Sequence, residues 1–222
     1  KKVEDEQPML LIGSPSCTAY STWQALNAAR HGWPPGEAER RRGASDVHLA
    51  FVCDLYRLQM ANKRYFLHEN PDQAASWQRE CIKDILQDKR VERIVGDQCQ
   101  YGQHSFKGDP VKKPTGWMSN SKELLKSLDK RCGGRGGLCS RREGGRHATA
   151  SGRVAREAAV YPFRLCRAIL RGFRNQLLKD GTLQTGMYGM QGVFEEDQTK
   201  YYDHLTGAVL EGEEESQGRI PA

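Results

Sequence analysis

Short apolar runs that alternate with amphipathic segments constrain the fold of this chain most. The runs at 9–12 and 64–67 each end at a turn rich in Gly, Pro or Asn, as buried strands do. Between them, residues 46–62 place apolar side chains at three- and four-residue steps (Val47, Phe51, Leu55 and Leu58), which predicts a helix. Strands that alternate with helices are typical of a parallel sheet covered by helices, so we predict an α/β fold.

The same alternation continues toward the C-terminus. The remaining predicted elements are a helix over 73–88 with Asp72 as its cap, strands over 91–95 and 117–119, a helix capped by Asn120, and a helix over 161–179. The predicted organisation is a tail (1–7), an α/β core (8–131), a Gly/Arg-rich loop (132–160), a C-terminal helix (161–180) and a flexible acidic tail (181–222). Within the loop, we expect residues 132–153 to be mobile.

Positive charge is concentrated in one part of the chain. The formal net charge is +6, but the range 130–179 holds 13 Lys and Arg residues against only Glu143 and Glu157. A segment rich in Arg and Gly suits contacts with phosphate groups, so we predict a nucleic-acid partner. The alternative is a solvated loop and a helix whose Arg stems cover apolar surface.

Composition excludes some classes of protein. No apolar run reaches about 18 residues, so we expect no membrane-spanning segment. The first residues are acidic and precede only a short apolar stretch, unlike a signal peptide. The seven cysteines are odd in number and irregularly spaced, which favours a reducing, intracellular compartment over a disulfide framework.

The first loop that carries chemical groups runs from Gly13 to Ser21 and contains Cys17. A cysteine on a Pro-containing loop at a strand end has good geometry for a nucleophile. If the cysteine also opens a helix, the positive helix end lowers the pKa of its thiol. The alternative is an ordinary small residue in a turn.

The second such loop follows the strand at 64–67 and contains Glu69. A carboxyl group directly after a buried strand is desolvated and so stays protonated near neutrality, which allows it to donate to a ring nitrogen. The alternative is a helix-capping loop with Glu69 in water. Further along, Lys112 and Lys113 enter a strand where they could hold a phosphate, although exposed charge is the usual explanation.

Cys132, Cys139 and His147 carry side chains that can bind zinc. Their spacing fits no standard pattern and lacks a clear fourth ligand. The sequence therefore predicts no metal site.

Taken in order, the loops resemble the DNA cytosine-5 methyltransferase family. Pro15-Ser16-Cys17 resembles its Pro-Cys loop, and Glu69-Asn70-Pro71 resembles its Glu-Asn-Val motif. Its Tyr-Gly pair and basic Gln-x-Arg-x-Arg strand resemble the stretch from Tyr101 to Thr115. This likeness covers about half of the chain. A looser likeness, around Gly152-Arg153 and from Tyr161 to Ile169, is to methylase-like segments of transposon-derived polyproteins.

The resemblance implies a partial Rossmann-like, S-adenosylmethionine-dependent methyltransferase fold with a parallel sheet and flanking helices. It implies that Cys17 attacks carbon 6 of a flipped cytosine in DNA while Glu69 holds ring nitrogen 3. The other residues that it implicates are Ser14, Asn70, Lys113, Thr115 and Arg153 in substrate binding, and Pro15 in binding S-adenosylmethionine. The thiol of Cys17 and the carboxyl of Glu69 should then meet at one cavity. A nuclear location follows from a DNA substrate.

The chain departs from the family pattern at three points. Ser16 stands where the family has Pro, and Lys112-Lys113 replaces a spaced arginine pair. The family's Gly-rich cofactor loop is not found before Met9, so a cofactor-binding segment of the parent chain is an expected partner. The alternatives are a non-catalytic nucleic-acid-binding remnant of a mobile element and an interaction domain without nucleic acid.

Overall fold

The computed structural model describes residues 1–21, 23–184, 201–202 and 209–210. The chain divides into two compact units, Lys1–Leu183 and Gln184–Ala222. In the second unit the described residues form one antiparallel strand pair, Tyr201–Tyr202 with Val209–Leu210. Most of the predicted acidic tail therefore lies outside the described residues.

The first unit contains seven helices and four strands among its described residues. The helices are α1 (Lys2–Glu6), α2 (Trp23–His31), α3 (Glu37–Ala61), α4 (Glu80–Leu86), α5 (Lys122–Leu128), α6 (Gly152–Glu157) and α7 (Phe163–Lys179). The strands are β1 (Leu10–Gly13), β2 (Tyr65–Pro71), β3 (Glu92–Asp97) and β4 (Pro114–Ser119). Three short 3₁₀ turns lie at Thr18–Tyr20, Ala75–Gln78 and Gln98–Tyr101. No helix in the described part of the chain is long and apolar enough to cross a membrane.

The four strands form one mixed sheet in the order β1-β2-β4-β3. β1 and β2 are parallel, and Gly13 lies opposite His68. β4 is antiparallel to both of its neighbours, β2 and β3. The prediction of a parallel sheet is therefore correct for one pair only. A parallel return from β3 would need a crossover that spans the sheet, usually a helix, but residues 98–113 contain only a single 3₁₀ turn.

Helices cover both faces of this sheet because side chains alternate along its strands. Phe66 and Met118 face α3 and α4, whereas their neighbours Leu67 and Trp117 face α5 and α7. α5 and α7 approach closely at Gly172, where a Cβ would overlap Ser127 Oγ. The α/β class is thus observed, with an apolar layer on each side of an open sheet.

Several predicted element boundaries differ from the observed ones. The helix predicted over 46–62 begins at Glu37, and Asp46 lies inside it, where its carboxylate binds Tyr20 and Arg79. The helix predicted over 73–88 is a 3₁₀ turn followed by the short α4. Ser121, not Asn120, caps α5 through the Leu124 amide.

Candidate active site

The ends of β1 and β2 bring the two predicted loops together. Gly13 ends β1, and a side chain there would overlap the Tyr56 hydroxyl, which packs behind the strand. The chain then turns through Pro15 to Cys17, which precedes the turn Thr18–Tyr20. β2 continues past the predicted end at Leu67 as far as Pro71, so Glu69 lies inside a strand rather than in a loop after it.

Asn70 holds the cysteine loop against β2. Its side-chain amide donates to the carbonyl of the buried Pro15 at 3.3 Å and to the carbonyl of Glu69 at 2.6 Å. Ser76 in turn donates to the Asn70 amide oxygen at 3.2 Å. Asn70 is 1% exposed, and these contacts orient the loop. The roles predicted for Asn70 and Pro15, in substrate and cofactor binding, stay predictions.

Glu69 carries a carboxyl group that is almost fully buried. Its side-chain atom Oε1 lies 3.9 Å from Lys113 Nζ and has no hydrogen-bond partner among the described residues. Burial raises the pKa of Glu69 above its ordinary value, and Lys113, Ser14 and Tyr161 act in the opposite direction. The carboxyl group is therefore held in an environment that favours its protonated form.

Lys113 and Tyr161 lie next to the Glu69 carboxyl group. Lys113 Nζ donates to the Ala158 carbonyl at 2.9 Å and lies 5.9 Å from the centre of the Tyr161 ring. The Tyr161 hydroxyl is 2.9 Å from Ser14 Oγ. Tyr161 was not predicted as a site residue, because it is distant in sequence and lies just before α7.

Cys17 is half-buried beside this carboxyl group. Burial, and then the negative charge of Glu69, raise the pKa of the Cys17 thiol, while Lys113 lowers it. The expectation that a helix end would lower this pKa is wrong, because the turn after Cys17 is only three residues long. The thiol is therefore held in its neutral form while Glu69 is ionised.

His68 is a core residue despite its position beside Glu69. Burial, with a smaller contribution from Arg93, lowers the pKa of His68 to about 3. Its Nδ1 lies 2.9 Å from the Tyr56 hydroxyl, and its ring packs edge-on against Trp77. The imidazole is thus neutral and does not exchange protons with the site.

A cavity of about 590 Å³ opens in front of Cys17 and Lys113. Cavities of this size take drug-sized or nucleotide-sized ligands. Its wall is completed by the end of β2 and by α6, including Pro71, Gln73, Gly152 and Ala155. Cys17 and Lys113 line the cavity, whereas Glu69 is not among its lining residues and lies 3.9 Å from Lys113 Nζ. The predicted meeting of the thiol and the carboxyl group at one cavity is therefore observed for the thiol only.

Two of the predicted substrate-binding residues are engaged elsewhere. Thr115 is fully buried, where its hydroxyl donates to the Lys113 carbonyl and accepts from Gln98. Arg153 pairs with Glu157 at 2.6 Å, and its guanidinium lies 4.3 Å over the ring of Phe106. Neither side chain reaches the carboxyl group, although Gly152, next to Arg153, lines the cavity.

The residues lining the cavity do not fit S-adenosylmethionine. The ribose hydroxyls of a nucleoside cofactor are typically bound by a carboxylate at a strand end. Among the residues that the structure describes, no carboxylate lines this cavity, and the nearby Glu69 is buried beside the thiol. The described residues at this cavity therefore include a thiol and an ammonium group but no group suited to a ribose.

A second cluster of reactive side chains lies apart from this cavity. Cys99, Cys132, Cys139 and His147 place their ligand atoms within 4.8 Å of one another. The sequence pattern groups Cys132, Cys139 and His147 but not Cys99, which follows β3 and is 33 residues before Cys132. Only the arrangement of the sheet and the loop after α5 brings the fourth residue in.

Comparisons with protein-family models, with curated proteins and with solved structures find no match to this chain. The function of this chain is therefore inferred from the geometry of Cys17, Glu69 and Lys113 and from the order of the sequence motifs.

Proposed function

We propose that this chain is a DNA cytosine-5 methyltransferase-like domain whose Cys17 adds covalently to a cytosine ring. The observation that carries the proposal is the pairing of a thiol with a buried, protonatable carboxyl group at the ends of two adjacent parallel strands. The motif order from Pro15 to Thr115 supports the same function.

The addition step uses both groups. The Cys17 thiol loses its proton to solvent, and the thiolate sulfur forms a bond to ring carbon 6. The bond between carbons 5 and 6 loses its double character, and the displaced electron pair reaches ring nitrogen 3. This nitrogen takes a proton from Lys113, which lines the cavity, and Glu69 returns its own proton to Lys113. Carbon 5 becomes electron-rich, which is what methylation at that carbon requires.

The electrostatics of the site favour this sequence of protonation states. Burial raises the pKa of Glu69, so its carboxyl group keeps its proton to a higher pH than an exposed one, and a protonated Glu69 does not oppose ionisation of Cys17. Lys113 then remains as the charge that stabilises the thiolate. The proton needed at nitrogen 3 and the thiolate needed at carbon 6 are thus supplied together.

A DNA substrate is supported by the basic surface next to the cavity. α6 lines the cavity with Gly152 and Ala155 and exposes Arg153 and Arg156. Guanidinium groups at the rim of a pocket suit the phosphates that flank a flipped base. The proposal stops at the addition step, because the described residues do not fit S-adenosylmethionine.

A DNA duplex in which 2-pyrimidinone replaces one cytosine tests the proposal without a methyl donor. This base lacks the 4-amino group, so its carbon 6 is more electrophilic. We expect an adduct that survives a denaturing gel and maps to Cys17 by mass spectrometry. Cys17→Ser should abolish the adduct, Glu69→Gln should slow its formation, and Cys166→Ser should leave it unchanged. An adduct of equal yield in Cys17→Ser would refute the proposed nucleophile.

The second candidate is a nucleic-acid-binding protein without covalent chemistry. It is favoured by the exposed arginines that follow α5, which include Arg131, Arg135, Arg142 and Arg146. DNA binding that weakens steeply with salt, together with no adduct, would support this candidate over the enzyme.

A further inference from the structure

We propose that Cys99, Cys132, Cys139 and His147 bind one zinc ion as a closed structural site. Three thiolates and one imidazole form a ligand set that is common in structural zinc sites. The ligand atoms of all four residues lie within 4.8 Å of one another. This proposal does not depend on the proposed function, because none of the four residues lines the cavity.

Two of the six separations between the ligand atoms match the edges of a zinc tetrahedron. With Zn–S bonds of about 2.3 Å and a Zn–N bond of about 2.0 Å, a tetrahedron has S···S edges of about 3.8 Å and S···N edges of about 3.5 Å. Cys132 Sγ lies 3.8 Å from Cys139 Sγ and 3.6 Å from His147 Nε2. The same 3.8 Å is far longer than the bond of about 2.05 Å in a disulfide.

Hydrogen-bond donors surround the sulfur atoms. The Ser140 amide lies 3.4 Å from Cys132 Sγ, and the Arg141 amide lies 3.5 Å from Cys139 Sγ. The Gln100 side-chain amide is 3.5 Å from Cys99 Sγ and 3.7 Å from Cys139 Sγ. Donors around a metal ligand orient it and offset the charge that thiolates bring to the site.

The loop that carries three of the ligands has no other core. Between 132 and 147 the only buried side chains are Cys132 and Cys139, and the apolar Leu138 is 52% exposed. Paired backbone bonds, from Cys139 to Gly145 and from His147 to Gly137, fold the loop into a small hairpin. A loop with so little apolar burial is the kind of segment that a bound metal stabilises.

Zinc would also fasten this loop to the sheet. Cys99 follows β3, and the Cys132 amide donates to the buried carboxylate of Asp97, the last residue of β3, at 2.7 Å. The chain then continues through Ala148, whose amide donates to the Pro110 carbonyl, toward α6. Since α6 forms part of the cavity wall, the metal site would hold that wall from a distance.

Metal analysis of the purified full chain tests the proposal directly. We expect about one zinc per chain, and after replacement with cobalt we expect the visible absorption of tetrahedral, thiolate-bound Co²⁺. Cys139→Ser and His147→Ala should weaken zinc binding by at least tenfold. The matched controls Cys81→Ser and Cys166→Ser, which lie outside the cluster, should bind zinc as the parent chain does.

A labelling experiment keeps the test valid if a ligand variant fails to fold. The parent chain is treated with iodoacetamide with and without a chelator, and the modified cysteines are mapped by mass spectrometry. Chelation should expose Cys99, Cys132 and Cys139 together and leave the labelling of Cys17 unchanged. A reduced chain that takes up no added zinc, or zinc protection that maps to other cysteines, would overturn the proposal.

Discussion

At the scale of single residues, burial and then the charge of Glu69 raise the pKa of the Cys17 thiol. Burial also raises the pKa of Glu69 itself. Motif order identified this pair in the sequence. The sequence also predicted desolvation of Glu69. The contacts of Lys113 and Tyr161 could not be predicted, because they depend on β2 extending to Pro71 and on chain that is distant in sequence.

Removal of the Glu69 charge should make Cys17 more reactive. In Glu69→Gln the carboxylate that raises the pKa of the thiol is gone, so more thiolate is present at a given pH. At a pH where Glu69 of the parent chain is ionised, we expect alkylation of Cys17 by iodoacetamide to become several-fold faster in Glu69→Gln, as measured by peptide mass spectrometry. Lys113→Met should slow it. Equal rates in the parent and Glu69→Gln chains would show that the two groups do not interact.

The raised pKa of Glu69 also predicts a pH dependence of stability. The folded chain holds this proton more tightly than the unfolded chain, so the contribution is fully favourable below the ordinary pKa of 4.5. It is lost as the pH rises through the higher pKa of the folded state. We expect the melting temperature of Glu69→Gln to gain on that of the parent chain over this range. The surface variant Glu80→Gln should follow the parent chain, and a constant difference for Glu69→Gln would contradict the assignment.

At the scale of elements, α3 shows why periodicity alone was insufficient. The sequence pattern favoured a face made of Val47, Phe51, Leu55 and Leu58. The structure instead buries Leu49, Cys53, Tyr56 and Met60, while Val47 and Phe51 are 74% and 57% exposed. A helix with two apolar stripes does not specify which one faces the sheet. The stripe that packs against the sheet is the one that contains Tyr56, whose hydroxyl contacts Gly13 and His68.

Two alanine substitutions on α3 distinguish the stripes. Leu49 is fully buried, so Leu49→Ala should lower the free energy of unfolding by about 2–5 kcal/mol. Phe51→Ala removes a larger but mostly exposed side chain and should change it by no more than about 0.5 kcal/mol. Urea denaturation measures both values. A larger loss for Phe51→Ala would mean that the helix packs through the predicted face.

At the scale of the whole molecule, the direction of β4 and the position of Cys99 had no local signal. The presence and order of the four strands were predictable, because they follow from apolar periodicity, but the lengths of β2 and β4 were not. Strand direction depends on the path of residues 98–113, and the cysteine cluster depends on where that path ends. Both are long-range properties, so the sequence analysis predicted a parallel sheet and no metal.

The loop that carries three of the proposed zinc ligands leads to α6, which lines the cavity. Removal of the metal from the whole chain therefore tests whether the site stabilises this wall. Without the metal, residues 132–147 keep few buried contacts, and the loop that leads to α6 loses the link that the metal would make to Cys99, after β3. We expect chelation to speed amide hydrogen exchange across 132–158 by at least tenfold and to leave the central strands β2 and β4 nearly unchanged, since both lie inside the sheet. Cys166→Ser should respond to the chelator as the parent chain does. Faster exchange in β2 as well would mean that the metal stabilises the entire fold rather than one wall of the cavity.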